Sequence, residues 1–245
     1  AGEACPYVNG TSISVCLSGY YSLSGWTSCL KCSAGTYSPS SGSDECFVCA
    51  EGQHSTNGSS SCSWCSNGYY SGRNSESCSI CSAGTIGHVP AGDNCTYCPE
   101  GTYSGAGETL CHACNEGYYS EEGWDNCTLC PAGMYCADGY PPEECSEGSF
   151  SVSGFTSCTP CPAGHQCESV ASSSMSECRL GYYSLSGVMN CTECGSGRAC
   201  PFKNGSSICD CVAGEYAVSG STSCLVCGSG TYSSSSRSTS CTTCD

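Results

Sequence analysis

The sequence has no apolar run approaching the roughly 18 residues that would span a bilayer as a helix. It holds six Lys and Arg against 22 Asp and Glu, for a formal net charge of −16. That balance argues against nucleic acid or an anionic lipid surface as a partner. Apolar residues make up 38% of the chain, but that figure counts 31 cysteines. Without them about a quarter is apolar, too little for an ordinary core. No stretch shows helical periodicity, because Gly or Ser interrupts every few residues. There is no Ser-His-Asp constellation and no Gly-x-Ser-x-Gly elbow, so the abundant serines read as turn formers and the chain as no enzyme. No signal peptide precedes Ala1-Gly2-Glu3-Ala4-Cys5, and that opening reads as a processed or excised segment.

What the chain has instead is cysteine, glycine and repetition. The stretch Gly19–Cys32 reads Gly-Tyr-Tyr-Ser, a small polar turn, then Cys-x-x-Cys. The Gly-x-x start of this frame returns at Gly35, Gly52, Gly68, Gly84, Gly101, Gly117, Gly148, Gly181, Gly214 and Gly230. A period of roughly 16 residues, in places twice that, makes the repeat the chain itself. Stability then comes from cross-links, which contribute about 2–4 kcal/mol each, mainly by restricting the unfolded chain. Such bonds persist in an oxidising compartment, so the expected location is extracellular or at a cell surface.

Short modules fill residues 32–129, six in tandem, and another at 227–245 ends in an open Cys. Long modules occupy 130–160, 161–193 and 194–226, each opening Cys-x5-Cys, and residues 1–31 read as a long module lacking its first Cys. Tyr-Tyr-Ser and Thr-Tyr-Ser fit strands of two to four residues, with Ser-Gly or Asn-Gly turns behind them. The expected fold class is a small disulfide-rich repeat array, an elongated rod of short cysteine-rich modules with sparse short β-strands and little or no helix.

Three pairing schemes compete. Bonds within each Cys-x-x-Cys would be the redox-enzyme pattern, but such enzymes carry one motif on an α/β domain. Paired Cys-x-x-Cys also builds zinc ribbons. The third scheme joins the second Cys of one pair to the first of the next. The Cys-Pro-x-Gly-Thr-Tyr-Ser…Cys-x-x-Cys frame, quoted from Cys98–Cys114, resembles the cysteine-rich repeats of ephrin receptors, found also in protist and algal surface proteins. The one-bond and two-bond modules are also similar to those of tumour-necrosis-factor receptor ectodomains.

The resemblance implies an extracellular ladder-like rod without catalytic residues, and it implies the third pairing scheme. Short modules would close as Cys32–Cys46, Cys49–Cys62, Cys65–Cys78, Cys81–Cys95, Cys98–Cys111, Cys114–Cys127 and Cys227–Cys241. Long modules would interlock one-to-three and two-to-four: Cys130–Cys145 with Cys136–Cys158, Cys161–Cys178 with Cys167–Cys191, and Cys194–Cys211 with Cys200–Cys224. Cys5 would bond Cys29. Cys16, Cys244 and Cys209 are left as inter-unit or unpaired cysteines.

The termini are complementary. Cys244-Asp245 placed before Ala1–Ile13 reproduces the opening of the module that begins at Cys194, and Cys16 then falls where Cys211 does. The expected partners are therefore further copies or sections of the same array, head to tail, with a Cys244–Cys16 link or simple continuation of a longer chain. Cys209, two residues before Cys211, aligns with Ser14 and is the odd cysteine. It could stay free, bond another chain, or compete for Cys194.

Asn9, Asn57, Asn94, Asn126, Asn190 and Asn204 each begin an Asn-x-Ser/Thr sequon, so covalent N-linked glycans are expected and no other cofactor. Three of them carry Cys in the middle, which lowers occupancy. Ser233–Ser236 could carry O-linked sugar. His54 stands at the frame aromatic's place and reads as a packing residue. His88 and His165 are isolated, and His112 lies beside disulfide cysteines. The pairs Glu121–Glu122 and Glu143–Glu144 read as solvated faces, since no EF-hand-type loop exists. Tyr21, Tyr37, Tyr70, Tyr103, Tyr119, Phe150, Tyr183, Tyr216 and Tyr232 share one place in the frame and are expected to cover neighbouring disulfides. The sequence thus predicts a non-enzymatic, glycosylated structural unit of an extracellular filament, fibre or coat. The alternative is a ligand-binding receptor or adhesin ectodomain.

Overall fold

The structure is a computed structural model and describes residues 1–5, 13–205 and 207–245. The chain forms two compact units, one of residues 1–114 and 120–127, the other of 115–119 and 128–245. Among the described residues there is no α-helix, only a 3-10 turn at Ala137–Gly139. In the described residues thirty strands of two or three residues pair as fifteen antiparallel hairpins. This is a small disulfide-rich repeat array, with fourteen disulfides in repeated modules.

One hairpin shows the plan. The frame glycine Gly35 has φ +80° and turns the chain into strand Thr36–Tyr37, which pairs with Phe47–Val48. Cys49 N–H donates to the Gly35 carbonyl at 2.9 Å and closes the ladder. Cys32, three residues before the glycine, bonds Cys46 just before the second strand. A two-stranded ribbon this short is not stable alone. It needs the covalent bond and its neighbours.

The neighbours are joined through one recurring position, directly after the first strand, where a buried serine usually stands. Ser38 is fully buried. Its Oγ donates to the Tyr20 carbonyl of the preceding hairpin, its carbonyl accepts from Gly19 N–H at 2.9 Å, and its own N–H donates to the Ser59 carbonyl. In the second unit Ser151 does the same work, donating to Met134 O at 2.6 Å and accepting from Gly133 N–H. The buried interior is accordingly a stack of half-cystines and hydroxyls: Cys32, Cys49, Cys81, Cys98 and Ser22, Ser38, Ser104, Ser120 all have no exposed surface. Large apolar side chains lie outside, the reverse of an ordinary domain.

Ser104 tests this arrangement. Its Oγ donates to the Thr85 carbonyl at 3.1 Å in a fully buried setting. Ser104→Ala leaves that carbonyl without its donor and is expected to cost about 1–3 kcal/mol. Faster hydrogen exchange at the Gly84 amide, which donates to Ser104 O, would measure it. An unchanged rate would show that the hydroxyl is dispensable.

The disulfides of the short modules are Cys32–Cys46, Cys49–Cys62, Cys65–Cys78, Cys81–Cys95, Cys98–Cys111, Cys114–Cys127 and Cys227–Cys241. In the long modules the interlocked pairing is corrected. The bonds are Cys130–Cys136 with Cys145–Cys158, Cys161–Cys167 with Cys178–Cys191, and Cys194–Cys200 with Cys211–Cys224. Each long module is two hairpins in the common frame. Strand Met134–Tyr135 pairs with Glu143–Glu144, and Ser149–Phe150 with Thr159–Pro160.

The physical reason is the serine position. Cys136, Cys167 and Cys200 occupy it, three residues after Gly133, Gly164 and Gly197. In an ordinary hairpin the serine oxygen already touches the first half-cystine: Ser71 Oγ is 3.3 Å from Cys65 Sγ, and Ser120 Oγ is 3.4 Å from Cys114 Sγ. A cysteine placed there reaches the same sulfur, six residues upstream, and bonds to it.

The same logic corrects the first module. Strand Glu3–Ala4 pairs with Ser14–Val15, so Gly2 is a frame glycine and Cys5 stands in the serine position. Cys16, three residues before Gly19, is the ordinary first half-cystine and bonds Cys29. The expected Cys5–Cys29 bond is therefore not formed, and Cys16 is not an inter-unit cysteine.

Candidate functional site

Three cysteines are free, Cys5, Cys209 and Cys244, and all are exposed. Cys5 sits where Cys136, Cys167 and Cys200 find a partner six residues upstream. Cys244 closes its hairpin by donating N–H to Gly230 O at 2.9 Å, the place from which Cys32 or Cys130 starts the next module. Cys209 is of another kind. It lies on strand Cys209–Asp210, opposite Ala199, with its Sγ 3.6 Å from the Ser207 carbonyl. Beside it Asp210 accepts from Arg198 Nε at 2.8 Å, with Arg237 at 3.6 Å.

The sequon asparagines Asn57, Asn94, Asn126, Asn190 and Asn204 are exposed. Asn9 lies outside the described residues. Asn57 Oδ1 accepts the Ala34 N–H at 2.8 Å. Asn94, Asn126 and Asn190 hold equivalent places, each directly before a bonded half-cystine, with the sequon threonine on the second strand of its hairpin.

The frame aromatics from Tyr21 to Tyr216 are half-buried on the first strand, and Tyr232 is exposed. Some rings pair within their own hairpin: Tyr37 with Phe47 at 5.9 Å, Tyr103 with His112 at 5.8 Å, and Tyr21 with Trp26 at 5.8 Å. His54 replaces the aromatic and brings its Nδ1 to 3.2 Å from Cys78 Sγ of the next hairpin. His88 Nε2 meets Thr96 Oγ1 at 3.0 Å, and His112 pairs with Glu108 at 3.1 Å. Two groups bring cysteine sulfurs near another ligand-type atom, His54 with Cys65 and Cys78, and Glu215 with Cys211 and Cys224. In both, the two sulfurs are bonded to each other and offer no thiolate.

Perturbed acidities lie in the second unit and arise from local pairs. The Tyr135 hydroxyl donates to Glu143, and that bond, with the carboxylate charge, raises the phenol above its ordinary value. Glu177 is held below the usual carboxylate range by its hydrogen bond from Lys203 and by the lysine charge. Both sites are open to solvent, and no nucleophile stands beside either.

The second strand of successive hairpins in the first unit carries a half-exposed apolar row. Val48, Trp64, Ile80 and Tyr97 are 46%, 57%, 49% and 63% exposed. These residues follow the first Cys of each Cys-x-x-Cys by two, a regularity present in the sequence and overshadowed there by the cysteines.

Residues 101–139 match the family described as "Tyrosine-protein kinase ephrin type A/B receptor-like". The matched stretch begins at the frame glycine Gly101 and contains one ordinary bond, Cys114–Cys127, and one six-residue bond, Cys130–Cys136. No curated protein matches the chain. Among the described residues no helix is long and apolar enough to cross a membrane. The chain is a disulfide-rich repeat array of extracellular type, ephrin-receptor-like at residues 101–139.

Proposed function

We propose that this chain is a structural, non-enzymatic section of an extracellular filament or coat, continued head to tail by a disulfide between Cys244 of one section and Cys5 of the next. One observation carries the reading. Cys5 and Cys244 are the two halves of the bond seen at Cys130–Cys136, Cys161–Cys167 and Cys194–Cys200. Counting from Cys244 through Asp245 into Ala1 places Cys5 six residues on and Gly2 three residues on, the spacing of those modules. The link replaces the Cys244–Cys16 link that the sequence suggested. Two thiols give up two protons and two electrons to a disulfide donor of the oxidising compartment. N-linked sugars on the exposed asparagines sheath the surface, and further sections of the same array are the partners. A heterologous contact of this kind generates an open filament.

The test is a non-reducing peptide map of native material. A Cys5–Cys244 linkage between separate peptides is expected. A continuous peptide running through Asp245 into the next frame would also support the array. Free thiols at both positions in a monodisperse monomer would overturn it.

A second reading, a ligand-binding ectodomain, draws on the apolar row of Val48, Trp64, Ile80 and Tyr97, because half-exposed aromatic anchors suit a protein interface. A downstream membrane span with a cytoplasmic domain would favour it.

A further inference from the structure

Eleven of the fourteen disulfides close a hairpin over 13 or 14 residues, and among the described residues Cys65–Cys78 is the one of these with a histidine nitrogen grouped with its sulfurs. His54 Nδ1 lies 3.2 Å from Cys78 Sγ. Other hairpins put Tyr37, Tyr70 or Tyr103 at that strand position, whose rings carry no basic atom. The site is also open. His54 and Cys78 line a cavity of about 400 Å³ together with Trp64, Tyr69 and Glu76. Cys65 is 7% exposed, whereas Cys32, Cys49, Cys81 and Cys98 are fully buried. Base, sulfur and access coincide at one bond.

We infer that Cys65–Cys78 is an exchange-active disulfide that takes a small thiol from solution, with His54 as its general base. The incoming thiol enters the cavity and gives its proton to His54 Nδ1. The resulting thiolate attacks Cys78 Sγ, forming a mixed disulfide there as the Cys65–Cys78 bond breaks. Cys65 Sγ leaves with the bonding electron pair and takes the proton from His54; the ring nitrogen and both sulfurs lie within 4.8 Å of one another. One disulfide and one thiol are consumed and one of each is formed, so no further oxidant or reductant is needed. The released Cys65 thiol has an acceptor waiting. Ser71 Oγ is 3.3 Å from Cys65 Sγ and donates its own proton to the Gln53 carbonyl at 3.0 Å. The buried product therefore leaves no donor unpaired, an outcome that would otherwise be costly. The consequence is a covalent docking point in the middle of an otherwise inert ladder.

The ionisable groups around His54 are few. Glu76 shares the cavity, and Arg73 lies on the same turn, whose Ser75 bridges to His54.

The experiment treats the full chain with reduced glutathione at pH 7, quenches by alkylation, and follows each bond by peptide mass. Cys49–Cys62 and Cys98–Cys111 have the same 13-residue separation as Cys65–Cys78 and serve as internal references. Cys65–Cys78 is expected to open about ten-fold or more faster, with glutathione on Cys78. His54→Tyr, which restores the residue of the other hairpins, should bring its rate to that of the references. The inference is overturned by any of three results: equal rates in the parent chain, glutathione on Cys65, or a His54→Tyr change that alters all bonds alike.

Discussion

Gly68→Ala is expected to destabilise the first unit by roughly 3 kcal/mol or more, among the largest single-residue effects available to this chain. Two costs combine. Gly68 has φ +79°, a conformation that costs a residue with a Cβ about 1–2 kcal/mol. The added Cβ would stand 1.8 Å from the Gly107 carbonyl oxygen, which is backbone and cannot rotate away. Gly107 is itself held, its N–H donating to Cys81 O at 2.9 Å, and Cys81 N–H donates to Gly68 O at 2.9 Å. To admit a methyl group, three linked turns must part. Gly25 provides the control, with φ +88° and nothing within 4 Å of its Cβ position. Gly25→Ala should show the conformational cost alone. Hydrogen exchange at the Cys81 and Gly107 amides reads the difference, at least about a ten-fold greater loss of protection for Gly68→Ala. If the two variants behave alike, the close approach between modules is not what holds them together.

Much of this architecture was legible because its determinants are local. A glycine, two strand residues, a serine and a half-cystine fall in fixed order, and the spacing of Cys-x-x-Cys pairs marks each second strand. What escaped was the equivalence of Cys136, Cys167 and Cys200 with the serines. Both residue types are small and carry one polar or polarisable atom on Cβ, so one buried place accepts either. In sequence the frame is marked by an aromatic followed by Ser, and Gly133-Met-Tyr-Cys and Gly164-His-Gln-Cys lack that serine. The wrong partner for Cys5 follows from the same oversight, because Gly2-Glu3-Ala4-Cys5 is another such frame. His54 beside Cys78 could not be read at all. The contact joins residues 24 positions apart on different hairpins, and only the stacking of modules creates it.

Cys136→Ser separates the two pairing schemes and carries the second large effect. In the structure it removes the Cys130–Cys136 bond and leaves Cys145–Cys158 intact. The new free thiol should therefore be Cys130. Interlocked pairing would instead release Cys158. The closed loop is short, so the loss through the unfolded chain is about 2–3 kcal/mol, somewhat less than for a bond of 13-residue separation such as Cys145–Cys158. The serine oxygen is a native occupant of this position in hairpins such as Ser151's, where it donates to the preceding strand. Packing is thereby preserved, and the variant should fold with a local loss, as expected when repeats interact only with neighbours. The converse exchange, Ser120→Cys with Cys127→Ser, should move the bond of an ordinary hairpin. Cys114 already lies 3.4 Å from the Ser120 oxygen, so it should bond the introduced thiol and leave no free cysteine beyond Cys5, Cys209 and Cys244. Alkylation of Cys158 rather than Cys130 in the first variant, or of Cys114 in the second, would show that the serine position does not direct the pairing. With the position confirmed, a frame glycine that carries Cys three residues on, as Gly133, Gly164 and Gly197 do, predicts a cysteine three residues before it. On the head-to-tail proposal, Cys5 takes its partner, Cys244, from another section.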